Sequence, residues 1–510
     1  MLLRTLARTN LWPRAFWYNR CTVVFVHKPN VGRASSTSSR PKEMREEGEA
    51  PNCISNLELR KIPYQLIENV EDLSLYCPGG YHPLQVGDEL NEGRYRLVHK
   101  LGYGGYSTIW LARDLRMSKY VAVKVIIAFA SGDTEEPDLL RNLRASSERP
   151  GGDIVRPLLD EFWVAGPNGR HKCLVTPPAR MSLFEAKESS SIGLFQPKVA
   201  QSIIAQLIRG VAFLHSQKIV HGGMWFLRTL SCAVWLTPYQ DIHLGNILVE
   251  FRKPIDTLST PELYLRYGEP ESEPVIRDDG KALSNSVPAK AFLELWCGIE
   301  SNELPLGEEK ISLCDFGVSF NPYRTSQYSS ETLVFLRPPE TRFSDKPLSF
   351  SSDIWILACT IWEISGTRPL FEVFLPSNDW VTREQVEVFG ILPSEWWKKW
   401  DKRSEWFNEE GELKLNRENM SKGTTRNAWE VRFNHSIQEP RAKAGLETMT
   451  VEEKSAFEAM IWSMLRYEPE ERATAEQLMQ SEWMTGWGLP ALKESLRITS
   501  ADPEDKEAGP

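Results

Sequence analysis

The sequence predicts an α+β fold, with β-strands early in the chain and helices after them. Three short runs of β-branched and apolar residues, separated by turn residues, fall at 95–98, 108–111 and 120–125, which is typical of an antiparallel sheet. Apolar residues then recur at helical spacing over 199–216, and a second apolar helix is predicted to begin at Asp353. A strand-rich part followed by a helix-rich part defines the α+β class.

The composition is that of a soluble globular protein, because 41% of the 510 residues are hydrophobic and 25% are charged. We expect no membrane span, since no stretch of about 18 apolar residues is free of charge. The eight cysteines are scattered, with no C-x-x-C pair. This spacing indicates reduced thiols in an intracellular protein and argues against a disulfide framework or a zinc site.

Charge is distributed unevenly along the chain. Residues 1–42 contain eight of the 60 basic residues and none of the 69 acidic ones, so the remainder carries a formal charge of −17. An acidic body argues against direct binding of nucleic acid and is compatible with basic protein substrates. The alternative explanation of this negative charge is that it serves only to keep the protein soluble.

The first 42 residues have the features of a mitochondrial transit peptide. They are rich in Arg and Ser, lack acids, and begin with leucines interleaved with arginines. A disordered basic tail or a wrongly assigned start is the alternative. Residues 43–94 are predicted to be a linker and an N-terminal extension, and the polar part, 43–60, is the linker proper.

A glycine-rich segment lies between the first two strand runs, with Gly102 and Gly104 two residues apart. Such glycines let the backbone fold tightly over phosphates and expose N–H groups to them. A hairpin turn is the usual explanation of such a pair alone, but the strand that follows contains Lys124 among apolar residues. A lysine there needs an anionic partner, which the α- and β-phosphates of ATP supply. We therefore predict a nucleotide site at Gly102, Gly104 and Lys124.

A second chemical pattern is Asp241, followed five residues later by Asn246. At this spacing an Asp can face the attacking hydroxyl group while the Asn reaches a Mg²⁺ ion on the phosphates. His221-Gly222 stands upstream, where such a loop carries His-Arg, but residues 223–240 separate it from Asp241. Further on, Asp315-Phe316-Gly317 follows a short apolar strand, and its Asp is expected to bind Mg²⁺.

In this order the segments resemble those of the eukaryotic protein kinases. The resemblance continues with Arg337-Pro338-Pro339-Glu340 in place of Ala-Pro-Glu, and with Arg472 as the expected partner of that glutamate. It implies a bilobal fold over residues 95–485, with a small β-rich N-lobe and a larger, mostly helical C-lobe. It also implies activity with ATP and Mg²⁺ on protein hydroxyl groups.

The same resemblance assigns roles to single residues. Glu136 is expected to pair with Lys124, and Asp353 is expected to anchor the backbone of the catalytic loop. Pro137, directly after Glu136, is a departure that fits best in a first helical turn. The catalytic residues implied are Asp241, Lys124, Glu136 and Asn246, and the metal ligands implied are Asn246 and Asp315. The nucleotide-binding residues implied are Gly102, Gly104, Ser107, Ile109 and Lys124.

Four stretches resemble the SR-protein-kinase-like branch, especially its fungal members: residues 78–84, 106–114, 241–246 and 347–355. The resemblance spans roughly residues 61 to 485. It implies serine phosphorylation of Arg/Ser-rich proteins such as splicing factors, and a cytoplasmic and nuclear distribution unless the leader directs the chain to mitochondria. We expect the protein to be a monomer.

Several departures from the kinase pattern bear on activity. His243 replaces a lysine that stabilises the γ-phosphate, and Gly222 replaces the arginine that grips an activation-loop phosphate, so switching by phosphorylation is not expected. Residues 252–310 form a long insertion rich in Pro and acids before Asp315, and 486–510 are predicted to be a C-terminal tail.

Residues 223–240 support two interpretations. They are mostly apolar with one charged residue, Arg228, which is unlike a solvated loop. One hypothesis is a translated intron, because Gly-Met and Gln-Asp codons at its ends can hold donor and acceptor sites whose removal keeps the frame. The other is a regulatory insertion that docks on the C-lobe. In both cases we expect the chain as written to catalyse poorly, because the loop must place Asp241 accurately.

Three functions compete at this point. An ATP- and Mg²⁺-dependent serine/threonine protein kinase is favoured by Lys124, Asp241, Asn246 and Asp315. A pseudokinase that binds partners as a scaffold is favoured by the split catalytic loop. A small-molecule phosphotransferase of kinase-like fold is disfavoured by residues 337–340 and by Arg472, which are typical of kinases with protein substrates.

Overall fold

The structure is a computed structural model that describes residues 63–222, 243–330, 332–372, 377–414 and 429–501. All of them belong to one compact unit, Asn52–Pro510. The leader 1–42 therefore lies outside the described residues, as do the insertion 223–240 and Asp241. Within the described ranges, no helix has the length and apolar character needed to cross a bilayer.

The strand-rich part forms the predicted antiparallel sheet, in the order β1-β2-β3-β4-β6-β5. Alternate residues of β4, among them Val121 and Val123, pack with Trp110 on one face of the sheet. Lys124 lies on the opposite face, because successive side chains of a strand alternate. The six strands are β1 Glu89–Leu90, β2 Tyr95–Gly104, β3 Ser107–Asp114, β4 Lys119–Ile126, β5 Asp160–Gly166 and β6 Gly169–Thr176.

Residues 63–94 are folded onto this sheet. Leu84 and Leu90 join the outer apolar cluster of the sheet, and Tyr76 and Tyr81 belong to a second buried cluster beside it. The sequence predicts a linker and extension here because its aromatic residues follow neither a strand nor a helix period. These residues therefore pack on the sheet although they lie upstream of the predicted domain boundary at residue 95.

Two helices follow β4, α1 Ala128–Ser131 and α2 Glu136–Arg144. After β6 the chain forms β7 Ala179–Ser182, α3 Leu183–Ser189 and α4 Pro197–Ser216. The long apolar face of α4 is buried against α7 Phe350–Ser365 in the largest core cluster. This pair is the centre of the helical lobe, as the helical spacing over 199–216 predicts.

The insertion 252–310 is also folded. It contains helix α5 Thr260–Tyr267 and a hairpin of β9 Ser272–Pro274 with β10 Lys290–Phe292. Leu263 and Leu295 pack on Val98 and Leu111 of the six-stranded sheet. Its scattered apolar residues cover the sheet, although the Pro- and acid-rich composition gives no sign of this packing.

A small sheet joins β7, β8 Ile247–Glu250 and β11 Ile311–Leu313. The antiparallel register places Leu313 opposite Ile247. Asn246 immediately precedes β8 and Asp315 is the second residue after β11, so both residues lie at the same end of the sheet.

Helices make up most of the remaining chain, and the last of them extends beyond the predicted domain end. Helix α15 Leu489–Ala501 packs on α4 through Leu492, although residues 486–510 are predicted to be a tail. Only three residues of this helix are buried, which is too few to give a helical pattern in the sequence. The helices between α5 and α15 other than α7 are α6 Glu340–Phe343, α8 Asn378–Phe389, α9 Ser394–Lys399, α10 Arg403–Trp406, α11 Trp429–Phe433, α12 Glu439–Lys443, α13 Val451–Met464 and α14 Ala475–Met479.

Candidate active site

The centre of the site is Lys124 on β4. Its Nζ lies 2.9 Å from Glu136 Oε2 and 3.0 Å from Asp315 Oδ1. Burial lowers the pKa of this lysine, but the charges of Asp315 and Glu136 outweigh burial and hold the pKa above its usual value. The side chain is therefore a permanent cation between two carboxylates.

Glu136 is the first residue of α2 and is almost fully buried. Besides Lys124, it contacts the segment after β11, since the backbone N–H of Phe316 donates to its Oε1 at 3.2 Å. Pro137 occupies the first turn of the helix, where a proline has no hydrogen bond to lose. The predicted pairing of Glu136 with Lys124 is present.

Asp315 has a left-handed backbone conformation with φ of 63°. This turn aims its carboxylate at Lys124 and directs the Phe316 ring into the core, where it lies 4.9 Å from the ring of His221. Because an aspartate in this region is strained by about 1 kcal/mol or more, the conformation depends on the surrounding contacts. The Lys124 ion pair and the buried Phe316 ring supply them.

Asn246 lies beside this turn, because the backbone N–H of Cys314 donates to the Asn246 carbonyl at 3.1 Å. Residues 244–246 form a short 3₁₀ turn, and its preceding residue, His243, accepts a 3.0 Å hydrogen bond from the N–H of Gly245 through its Nδ1. The imidazole is thus turned towards the loop backbone. Asp241 lies outside the described residues, so its role stays a prediction.

Asp353, in the first turn of α7, anchors the upstream end of the catalytic loop. Its carboxylate accepts the N–H groups of His221 at 2.8 Å and Gly222 at 3.2 Å, and the Nε2 of His215 lies 3.0 Å away. Gly222 has φ of 71°, and a Cβ added there would lie 3.1 Å from the Val318 carbonyl. The backbone therefore favours glycine where the kinase pattern has arginine.

The glycine-rich segment is the hairpin between β2 and β3. Gly102 pairs with Ile109 and Gly104 with Ser107, and Ile109 in turn pairs with Lys124 on β4. The register thus brings together all five residues predicted for nucleotide binding. A Cβ added to Gly104 would meet no atom within 4 Å, so the backbone there borders open space.

These groups fit the nucleotide and the metal that the sequence predicts. A cation in an open cleft, beneath a glycine hairpin, matches what phosphate groups require. Asp315 and Asn246 offer the oxygen ligands that Mg²⁺ prefers, from the same end of the small sheet. Glu136 stays behind Lys124 and is placed to hold it when phosphate oxygens approach.

Glu294 is a residue near the site that the sequence did not indicate. It comes from the insertion, and its Oε1 lies 3.6 Å from where a Cβ on Gly102 would stand. Burial, and then repulsion by Glu185, raise the pKa of the Glu294 carboxyl to about 7, even though Lys100 and the backbone of Tyr103 oppose the shift. No sequence signal predicts this contact, because it joins segments that are distant in the chain.

A second ion pair lies in the helical lobe, away from the cleft. Arg472 binds both oxygens of Glu340, at 2.7 and 2.6 Å. It also donates to the carbonyl groups of Ser351, Arg466 and Tyr467. The predicted partnership of Arg472 with this glutamate is present, and it joins the start of α6 to the segment before α14.

Comparison with known families gives a match to the protein kinase domain over residues 95–224 and 300–484. The match is interrupted over the stretch that holds the insertion 223–240, the Asp241–Asn246 segment and most of the second insertion. A solved kinase-domain structure, 17% identical, covers 79% of this chain and 98% of its own, with a TM-score of 0.52.

Among curated proteins, the serine/threonine-protein kinase SRPK of Physarum polycephalum is 26% identical over 430 residues, which cover 82% of this chain and 91% of the relative. A serine/threonine protein kinase of Aspergillus fumigatus is 24% identical over 426 residues, or 81% of this chain and 90% of the relative. Human SRSF protein kinase 3 is 38% identical over 160 residues, 30% of this chain and 28% of the relative.

Proposed function

The chain belongs to the protein kinase family, on its SR-protein-kinase-like branch, and we propose that it transfers the γ-phosphate of ATP to serine or threonine hydroxyl groups of Arg/Ser-rich proteins. The observation that carries this proposal is the triangle of Lys124, Glu136 and Asp315, with both carboxylates within 3.0 Å of the ammonium group. Such a triangle holds a cation ready for phosphate and leaves one carboxylate for a metal ion.

Each residue of the site has a distinct task in this reaction. Lys124 binds the α- and β-phosphates, while Glu136 fixes the direction of its side chain. Asp315 and Asn246 hold Mg²⁺, which when bound neutralises charge on the phosphate oxygens. Asp241 accepts the proton of the attacking hydroxyl group. The hairpin of residues 102–107 covers the phosphates with backbone N–H groups.

Two observations support Arg/Ser-rich proteins as the substrate class. Downstream of residue 42 the chain carries a formal charge of −17, which attracts basic peptides. The relatives include kinases named for SR proteins and for SRSF proteins. We infer that splicing factors of this composition are substrates, that nucleic acid is not bound directly, and that the protein acts as a monomer.

The test is a phosphotransfer assay with labelled ATP, Mg²⁺ and three peptides of equal length. One contains Arg-Ser repeats, one replaces Arg by Glu, and one replaces Ser by Ala. We expect label in the first peptide only. Equal labelling of the Arg and Glu peptides would contradict the substrate class, and no labelling of any peptide would favour the scaffold function.

The insertion 223–240 decides how active this chain is. Because it separates Gly222, which Asp353 anchors, from Asp241, we propose that it displaces the catalytic base and lowers the rate. Deleting residues 223–240 is expected to raise phosphotransfer strongly, because the loop then runs directly from His221-Gly222 to Asp241. Equal rates with and without the segment would show that it loops out harmlessly. Transcript sequencing separates a retained intron from a true insertion.

The leader suggests a location to test. We propose that residues 1–42 direct the chain to mitochondria, since they are basic and free of acids. A fusion of these residues to a fluorescent protein is expected to enter mitochondria. Diffuse or nuclear signal would contradict the transit peptide and favour the cytoplasmic and nuclear distribution implied by the family.

A further inference from the structure

The segment before the sheet contacts the glycine-rich hairpin directly. The hydroxyl group of Tyr81 donates a 2.7 Å hydrogen bond to the carbonyl oxygen of Gly104, at the turn between β2 and β3. Tyr81 is only 2% exposed. It belongs to residues 78–84, whose role the proposed reaction does not explain.

Tyr81 is fixed at both ends of its own backbone. Its N–H donates to the carbonyl of Leu75 at 3.0 Å, and its carbonyl accepts the side-chain amide of Asn168 at 2.7 Å. Its ring packs against that of Tyr76, with centroids 5.4 Å apart. Gly80 is required beside it, because an added Cβ would lie 1.9 Å from the Leu75 carbonyl oxygen. The hydroxyl group therefore has little freedom to follow a moving hairpin.

The same segment is bound to the first residues of helix α1, which follows the strand that carries Lys124. The carbonyl of Gly79 accepts the N–H of Phe129 at 2.8 Å, and that of Gly80 accepts the N–H of Ala128 at 3.1 Å. Directly before these residues, the N–H of Ile127 donates to the carbonyl of Tyr106 at the tip of the hairpin, at 2.9 Å. The hairpin is thus bound to the chain after β4 in two ways, directly through Tyr106 and indirectly through Tyr81.

A buried ion pair holds the strand that enters the hairpin. Lys100 on β2 bonds to Glu71, and Tyr76 donates its hydroxyl group to the same carboxylate. Lys100 is fully buried, two residues before Gly102. Because a buried pair is costly to separate, this end of β2 cannot shift far, and the free movement of the hairpin is confined to its tip.

We propose that Tyr81 is a positioning residue for the nucleotide: through Gly104 it holds the tip of the glycine-rich hairpin over the phosphate site. The proposal rests on the proposed function in taking ATP as the ligand. Without the hydroxyl group the tip opens more often, so ATP must order it on binding, and affinity falls. A typical hydrogen bond corresponds to a change of about fivefold in the dissociation constant for Mg²⁺-ATP.

The experiment compares the full chain with two tyrosine-to-phenylalanine variants. Tyr81→Phe removes the hydroxyl group on the hairpin and keeps the ring. Tyr95→Phe is the matched control, because Tyr95 is equally buried but donates its hydroxyl group to Asp160 at 2.7 Å. Amide hydrogen exchange of residues 102–107 is measured without nucleotide, and the dissociation constant of Mg²⁺-ATP is measured by calorimetry.

We expect Tyr81→Phe to speed exchange in the hairpin, to weaken Mg²⁺-ATP binding about fivefold, and, where phosphotransfer is measurable, to raise KM for ATP but not for the peptide. Tyr95→Phe is expected to change none of these. Unchanged exchange and affinity in Tyr81→Phe, or equal changes in both variants, would overturn the proposal. If the wild-type chain binds no Mg²⁺-ATP, the proposed function fails, whereas the exchange comparison still decides whether Tyr81 restrains the hairpin.

Discussion

The ion pairs around Arg472 and Lys124 both join a basic side chain to carboxylates, but they differ in their cation and in their surroundings. Arg472 and Glu340 are both almost fully buried, with side-chain exposures of 0% and 5%, and Arg472 is further held by three backbone carbonyl groups. Lys124 keeps 23% of its side chain exposed and is shared between Glu136 and Asp315. The first pair is closed to any ligand, whereas the second is open on the side of the cleft.

This difference teaches how one fold separates stability from function. A guanidinium group with five donors can satisfy a carboxylate and several carbonyl groups at once, which suits a permanent joint. An ammonium group between two carboxylates can exchange one of them for a phosphate at little cost. Breaking the closed pair should therefore mainly destabilise the fold, and breaking the open pair should mainly weaken ligand binding.

The largest effect is expected for Arg472→Ala. It leaves Glu340 as a buried charge without its cation, which costs about 3–5 kcal/mol of unfolding free energy. Arg472→Lys keeps the charge but loses the bidentate geometry, so we expect an intermediate loss. Chemical denaturation followed by fluorescence measures both. A loss below about 1 kcal/mol for Arg472→Ala would show that the pair is not a structural joint.

Lys124→Ala is expected to affect nucleotide binding more than stability. Affinity for Mg²⁺-ATP should fall more than about tenfold, because the phosphates lose their cation and meet Glu136 and Asp315 directly. The unfolding free energy should fall by less than in Arg472→Ala, because Lys124 keeps 23% of its side chain exposed and water can enter beside the two carboxylates. Calorimetric titration and denaturation give the two numbers. Nucleotide binding as tight as in wild type would show that the role assigned to the lysine is wrong.

Glu136→Gln tests how much of the nucleotide affinity at the open pair depends on the charge of Glu136. The amide oxygen can still accept the N–H of Phe316, but the charge that directs Lys124 is gone. We expect a loss of about threefold to tenfold in affinity for Mg²⁺-ATP, at the scale of one charged hydrogen bond, with the fold intact. An affinity equal to that of Lys124→Ala would mean that the lysine cannot act without this glutamate.

The smallest expected effect is a pH dependence of nucleotide binding at the open pair, and it comes from Glu294. Its pKa of about 7 lies above the unfolded value of 4.5, so its protonated form is favoured in the fold, and the stability it contributes is lost as pH rises through 7. Above pH 7 the carboxylate also repels phosphate, and we expect Mg²⁺-ATP to bind about twofold more weakly at pH 8 than at pH 6. Glu294→Gln should remove this change. A dependence that persists in the variant would assign it to another group.

The sequence predicted most of the site residues that lie in a strand or helix or directly after one. Lys124 stands out because a charged residue interrupts an apolar strand, and Asp315 stands out because its motif follows another strand. The family resemblance predicted the pairing of Lys124 with Glu136, which the structure shows at 2.9 Å. The 3.0 Å contact of Lys124 with Asp315 was not predicted. The catalytic assignment of Asp241 stays a prediction.

The sequence did not predict the contacts made by irregular segments. Tyr81 and Glu294 both reach the hairpin from stretches without strand or helix periodicity. Their contacts depend on where distant parts of the chain pack, which no local pattern records. The packing of residues 63–94 and 489–501 on the kinase domain was not predicted for the same reason, although the family match over 95–224 and 300–484 agrees with the predicted domain bounds.

The folded segment 63–94 has a practical consequence for making the protein. A recombinant chain trimmed to residues 95–485 would remove Leu84 and Leu90 from the outer face of the sheet and helix α15 from the helical lobe. The newly bared apolar surface would favour aggregation during expression. Expression of residues 63–501 keeps both surfaces covered.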